Sequence, residues 1–352
     1  MKLLGKNICK VVLAFCMLVT TFSCKQEAVQ VPKISFYYWK TVFDLKAPEL
    51  VALTYNEVER LYVRYFDIGL KEFESGQKSA VPVAKIDFKS AIPEHLEIVP
   101  VIFIKNEVLA SSKINADDLA EHTYKMIQSI NEKLGITINE VQMDCDWTNL
   151  SQVRYNQYLK KFKEISNLKL STTIRLHQVK HHKRTGIPYA DEGTLMFYNM
   201  GKINGDTLNS IYDREVASMY IKALKTYPQK LNLALPIYSW ALQIRGGNVI
   251  RLISKVENGS VVNHPSLKKI SKHSYEFKKG QIMFGNYFQK GDIIKIEQIK
   301  TADLMEMASD LKLYLREIPE EVIFYDLDAL NFNNSDYDKD VFKKVVDILS
   351  RH

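Results

Sequence analysis

Eight short runs of aliphatic, β-branched and aromatic residues recur along the chain, and they restrict its fold more than any other feature. They are ISFYYW (34–39), RLYVRYFDIG (60–69), EIVPVIFI (97–104), EVQMDCDW (140–147), LKLSTTIRLH (168–177), TLMFYNM (194–200), LNLALPIYSW (231–240) and EVIFYDLDAL (321–330). Most are near-continuous in apolar residues rather than alternating. A strand reads this way when helices cover both of its faces, as in a parallel sheet. Helical periodicity lies between several of the runs. Residues 115–134 carry Asn115 as an N-cap and Gly135 as a stop, and 151–166, 209–227, 301–317 and 337–350 are amphipathic. The second-to-third and fifth-to-sixth connections are less clearly helical. Strand alternating with helix eight times predicts an α/β chain folded as a (β/α)8 TIM barrel. A doubly wound open sheet is the competitor. It would want a glycine-rich phosphate turn after the first strand, and Trp39-Lys40-Thr41-Val42 is not one.

Residues 245–300 break the rhythm. RGGN, ENGS, HPS, KKG and QKGD turn signals there separate short strand-like runs. They predict a small β-rich insertion after the seventh strand, on the face of the barrel that carries the loops. A separate C-terminal domain is the alternative, but the eighth strand follows, so the insertion must return to the barrel. The chain has 352 residues and 46% apolar content, which suits one barrel over residues 33–352 with such an insertion.

The first 24 residues stand apart. Lys2, Lys6 and Lys10 precede an apolar stretch, Val11 to Val19, too short to span a bilayer comfortably. Thr21-Phe22-Ser23-Cys24 follows. A small residue before a cysteine, just after an apolar run, is similar to a bacterial lipoprotein signal. Cys24 would then carry the lipid, residues 25–32 would be a tether, and the protein would sit on a membrane of the bacterial cell envelope, the outer membrane first. A plain secretory peptide and an uncleaved anchor stay open. Cys9 and Cys16 leave with the signal, so Cys145 is left alone and no intrachain disulfide can form. The three lysines leave too, which takes the net charge of +7 down to +4. So weak a charge on a domain this large implies no nucleic-acid partner.

In a barrel the catalytic rim is at the C-terminal ends of the strands. The unusual polar residues fall there: Asp67 on the second strand, Asp144, Asp146 and Thr148 on the fourth, Arg175 and His177 on the fifth. Tyr198 and Asn199 follow on the sixth, Tyr238 and Trp240 on the seventh, Asp326 and Asp328 on the eighth. Side chains alternate along a strand, so Gln142, Asp144, Asp146 and Thr148 share the inward face, while Met143, Cys145 and Trp147 meet the helices. Same-face neighbours are roughly 6.6 Å apart. Two partly desolvated carboxylates that close push one pKa up. Such a pair can hold one proton, clamp a cation, or simply bond Arg64 and Arg175 in a buried network. Trp39 and Trp240 are either core or platforms for sugar rings. His177, His181 and His182 look more like a solvated basic loop than metal ligands, and no cofactor or metal is expected.

These residues resemble the family-18 glycoside hydrolases, the chitinase-like barrels. Their fourth strand ends in Asp-x-Asp-Trp-Glu, close to Asp144-Cys145-Asp146-Trp147-Thr148. LMFYNMG (195–201) is similar to their Met-x-Tyr-Asp/Asn motif, ALPIYSW (234–240) to their Leu-Pro-x-Tyr-Gly, and VIFYDLDAL (322–330) to their eighth strand. The likeness covers strands four to eight in patches, with no counterpart in strand three. The whole chain also resembles a family of bacterial lipoproteins with this barrel and no assigned activity. The chitinase resemblance implies that Asp146 steadies a substrate's N-acetyl group and that Tyr198 bonds its carbonyl. It also places the family's general-acid glutamate at Thr148, whose hydroxyl cannot protonate a glycosidic oxygen at neutral pH.

Two functions follow. In one, the protein is a glycosidase acting on a glycan, an N-acetylated one among the candidates. Asp144 and Asp146 serve the anomeric region, Asp144 holds the raised pKa, and Asp328 nearest the rim, Asp326 or Asp67 supplies the acid. Trp39, Asp67, Arg175, His177, Asn199, Tyr238, Trp240 and Asp326 would line the substrate. In the other, the barrel is a retired hydrolase that binds a glycan without cleaving it.

Overall fold

The computed structural model describes residues 30–350, apart from 207, 257, 333–336 and 338. The signal segment, Cys24 and residues 25–29 lie outside the described residues.

Eight parallel strands form the barrel: β1 (Lys33–Tyr38), β2 (Arg60–Glu72), β3 (Glu97–Ile104), β4 (Glu140–Asp144), β5 (Lys169–Arg175), β6 (Glu192–Met196), β7 (Leu231–Pro236) and β8 (Glu321–Tyr325). Each pairs with the next, and β1 pairs with both β8 and β2, which closes the sheet. The strands from β4 to β8 are shorter than their apolar runs. β4 ends at Asp144 and β8 at Tyr325, so Asp146, Thr148, Asp326 and Asp328 belong to loops.

The main helices are α1 (Ala47–Tyr55), α2 (Ala116–Leu134), α3 (Gln152–Ser166), α4 (Arg214–Ile221), α5 (Thr301–Tyr314) and α6 (Val341–Ser350). α2 is bounded by the predicted residues. The Asn115 carboxamide accepts the amides of Asp117 and Asp118 at 2.9 and 3.3 Å, and Gly135 closes the helix at φ +65°. The helix expected over 209–227 is shorter: α4 passes into a 3-10 turn, Lys222–Thr226. Between β2 and β3 the chain forms an antiparallel arm, Lys78–Val83, paired to the end of β2. Two short helices, Leu176–Lys180 and His182–Thr185, join β5 to β6.

The barrel interior is layered, with alternate strands filling alternate levels. The floor level comes from the even strands. Glu140, Glu192 and Glu321 are buried there beside Arg60. Arg60 reaches Glu140 and Glu321, both at 3.5 Å, and Glu97 at 3.1 Å. Lys169 reaches Glu140 at 3.2 Å and Glu192 at 2.6 Å. The Tyr62 hydroxyl donates to Glu321 at 2.6 Å, and the Asn232 amide donates to Glu192 at 3.0 Å. Burial raises the pKa of Glu140 and of Glu321 against the pull of these cations. Above the floor the Tyr37 hydroxyl donates to Gln142, which donates in turn to Thr194. The top even-strand level is Arg64, Asp144, Met196 and Tyr325.

Trp147 and Cys145 pack outward. The Trp147 ring stacks on Tyr155 at 5.3 Å, and its indole N–H donates to the Thr185 carbonyl at 2.8 Å. A five-stranded antiparallel sheet begins at Ser239 rather than 245 and ends at Gln298. It has an apolar core of its own, in which Phe277 and Phe288 stack at 4.3 Å. The chain then returns to the barrel through α5.

Candidate functional site

The top level of the barrel is the floor of a cleft of about 480 Å³. Arg64, Asp144, Met196 and Tyr325 form that floor. Its walls include Trp39, Tyr198, Tyr238 and Asp326, and the inserted sheet adds Trp240, Leu252 and Lys255.

Aromatic rings run around it in unbroken contact. Trp39 meets Tyr325 at 5.7 Å, and Tyr325 stacks on Tyr198 at 5.4 Å. Tyr238 meets Tyr198 at 6.1 Å and Trp240 at 5.4 Å. Rings in edge and offset contact hold one another in place. The Arg64 guanidinium lies 5.4 Å over the Trp39 ring. The Tyr238 hydroxyl donates to Asn199, which sits at φ +53° just beyond β6. The Tyr198 hydroxyl is buried and has no hydrogen-bond partner among the described residues. A buried donor left so costs about 1–3 kcal/mol, which a ligand acceptor would offset.

The acids separate into two kinds. Two keep no cation in direct contact among the described residues. Asp144 is buried and takes a hydrogen bond from Thr173 at 2.6 Å. Burial pushes its carboxyl up to about 6, with Asp146 adding to the push and Thr173 opposing it. Asp326 is likewise raised to about 6 by burial and by Asp328, while the Asn331 amide donates to it at 3.2 Å. Both line the cleft.

The other acids are held by cations. Asp146 sits in a two-pronged pair with Arg175, one prong at 2.9 Å, and it is Arg175 that lines the cleft. Asp67 is gripped by the Arg64 guanidinium, one bond at 2.6 Å; it lies within β2 rather than at its end.

Asp328 corrects the expectation that it is the acid. It does not line the cleft. Its carboxylate takes Lys255 at 2.5 Å, Lys40 at 3.3 Å and the Leu330 amide at 3.0 Å. Burial pushes its pKa up, but these partners outweigh burial and leave it below the ordinary value.

His177 is a second correction. It lies on the Leu176–Lys180 helix, exposed, and is not brought to the cleft. Thr148 is also exposed, and its hydroxyl accepts the Leu150 amide in the turn that opens α3. Among the described residues no group of three or more His, Cys, Asp and Glu is placed to hold a metal.

No family model matches the chain, and no curated protein matches it. Solved structures do. The spore cortex-lytic enzyme SleL of Bacillus cereus superimposes with a TM-score of 0.52 at 14% identity, over 91% of this chain and 74% of that one. A GH18 chitinase from Cycas revoluta, solved with (GlcNAc)3, gives 0.50 at 10% identity, over 90% and 98%. The barrel is chitinase-like. This likeness concerns the fold alone, since the identities are low. Within the chitinase-like frame, the residues missed in sequence are Tyr325, Lys255 and Glu297. Tyr325 was legible, because it shares the inward parity of Glu321 and Ile323. Lys255 and Glu297 come from the inserted sheet and carry no such signal.

Proposed function

We propose that the cleft binds a glycan and that N-acetylated chains are the class it fits first. The single observation that carries this is the aromatic arc from Trp39 to Trp240, which carries at its middle the Tyr198 hydroxyl, unpartnered among the described residues. Pyranose rings present flat C–H faces that pack on aromatic rings, and a few placed polar groups then fix their orientation. Tyr198 offers a donor for a carbonyl such as that of an N-acetyl group. Asp326, Asn199 and Arg175 offer partners for hydroxyls.

Hydrolysis is the second reading, favoured by one observation: Asp144 and Asp326 are both raised to about 6, so either holds a proton for part of the time near neutrality. Asp326 would be the acid and Asp144 the group beside the anomeric carbon. Against it stand the Thr148 hydroxyl and the neutralisation of Asp146 by Arg175.

A glycan array with the full chain, followed by product analysis on each hit, separates the two. Trp39→Ala and Tyr198→Phe are each expected to weaken binding of a hit about tenfold, the equivalent of ~1.4 kcal/mol. Unchanged affinity in both would refute the cleft as the binding site. New reducing ends that vanish in Asp326→Asn would establish hydrolysis.

The address is a further part of the proposal, supported by the order of basic, apolar and Ser-Cys residues at 2–24. A diacylated Cys24 would anchor the protein stably to an envelope membrane. Cys24→Ala is expected to move it from the membrane fraction or stall its processing. Membrane association that persists in that variant argues against the lipid.

A further inference from the structure

One residue of the cleft wall, Trp240, and the loop after β6 converge on a buried carboxylate outside the cleft. Glu297 lies in the last strand of the inserted sheet, Ile293–Gln298, and is fully buried. Its Oε2 accepts the Trp240 indole N–H at 2.7 Å, the Ser210 amide at 3.1 Å and the Ser210 hydroxyl. Its Oε1 meets the ammonium of Lys295 at 2.7 Å, and Lys295 is equally buried. Lys295 also donates to the Leu208 carbonyl at 2.6 Å.

Ser210 belongs to the returning arm of the loop after β6. That arm is zipped to the outgoing one: the Gly201 amide donates to the Ser210 carbonyl at 3.1 Å, and the Asn199 amide donates to the Ile211 carbonyl at 2.8 Å. Whatever fixes Ser210 therefore fixes Asn199 and the neighbouring Tyr198.

We propose that Glu297, with Lys295 behind it, is a positioning residue that sets the cleft wall by holding the Trp240 indole and the loop after β6 in one register. The consequence for Trp240 is chemical. Its only polar atom is spent on Glu297, so it can offer a ligand its ring face and no hydrogen bond. The inserted sheet then supplies both the Trp240 platform and the carboxylate that orients it. A buried charge pair contributes little net stability, because desolvation offsets its attraction, and in some proteins such pairs fix one arrangement. The inference about affinity rests on the glycan reading of the cleft; the inference about orientation does not.

The test compares two double variants of the full chain. Lys295→Met with Glu297→Gln keeps an acceptor for the indole. Lys295→Met with Glu297→Leu removes it. Both remove the charge pair as a whole, so neither leaves a buried ion alone. The indole N–H resonances of the three tryptophans are read by NMR, with Trp240→Phe assigning the signal of Trp240. The Gln variant is expected to leave that signal near its wild-type position, and the Leu variant to displace it, while Trp39 and Trp147 stay in place. With (GlcNAc)3 as the probe, the Leu variant is expected to bind at least tenfold more weakly than the Gln variant, at a similar unfolding temperature. Matching Trp240 signals in the two variants would overturn the proposal. A wild-type chain that ignores (GlcNAc)3 would count against the glycan class alone, and the NMR comparison would still decide the positioning role.

Discussion

Arg60→Met is expected to lower the stability of the fold by about 3–5 kcal/mol, the usual cost of removing one partner from a buried ion cluster. The reason is the floor of the barrel. Three buried glutamates from β4, β6 and β8 share two cations, Arg60 and Lys169. Removing Arg60 leaves Glu321 with the Tyr62 and Ser35 hydroxyls but no direct counter-charge among the described residues. The surviving acids must then take up protons, so the variant is expected to recover part of its loss as the pH falls towards 5. Denaturant unfolding at pH 5 and 7.5 measures both effects. A loss under 1 kcal/mol that does not change with pH would mean that the floor tolerates its charge without Arg60.

Asp144→Asn is expected to act in the opposite direction. The folded carboxyl titrates at about 6 against an ordinary 3.8. A raised acid of this kind costs nothing below about pH 3, where it is protonated in both folded and unfolded chains. As the pH climbs through 6 the folded chain must carry a desolvated charge, and stability falls by up to about 3 kcal/mol. Asparagine keeps the oxygen that accepts from Thr173 and never ionises. The variant is therefore expected to match wild type at pH 3 and to exceed it at pH 7.5 by a few kcal/mol. If the protein hydrolyses its ligand, the same change is expected to cut turnover by at least a hundredfold. Greater stability joined to lost function is the signature of a charge kept for its chemistry. Equal stability at pH 7.5 would show that the carboxyl is better solvated than its burial implies.

The parts of this design that were legible in the sequence are those governed by a repeating rule. Periodicity placed all eight strands, and the Asn115 and Gly135 signals bounded α2 within a residue. Alternation along β4 put Gln142 and Asp144 inside, with Met143 and Cys145 outside. It held for Trp147 as well, but it could not sort the acids past the end of β8, because a loop has no period. Asp326 and Asp328 have the same parity, yet Asp326 faces the cleft, whereas Asp328 is drawn to Lys40 and Lys255. Those lysines come from elsewhere in the chain, so no local pattern reports them. The pairing of Asp146 with Arg175 of the next strand, by contrast, was one of the readings left open in the sequence. The floor was missed for another reason. Glu192 precedes the apolar run at 194–200, and an acid at a strand's first position reads as a surface residue until the barrel closes around it.

The chain enters the barrel at the floor. Val31 and Pro32 lead into Lys33 at the N-terminal end of β1, on the side of the domain opposite the cleft. Any leash that begins at Cys24 thus joins the domain from behind. Fully extended, residues 25–32 would reach about 25–30 Å. If Cys24 carries the lipid proposed above, the tether would attach at the barrel floor, and the cleft mouth lies at the opposite end of the barrel.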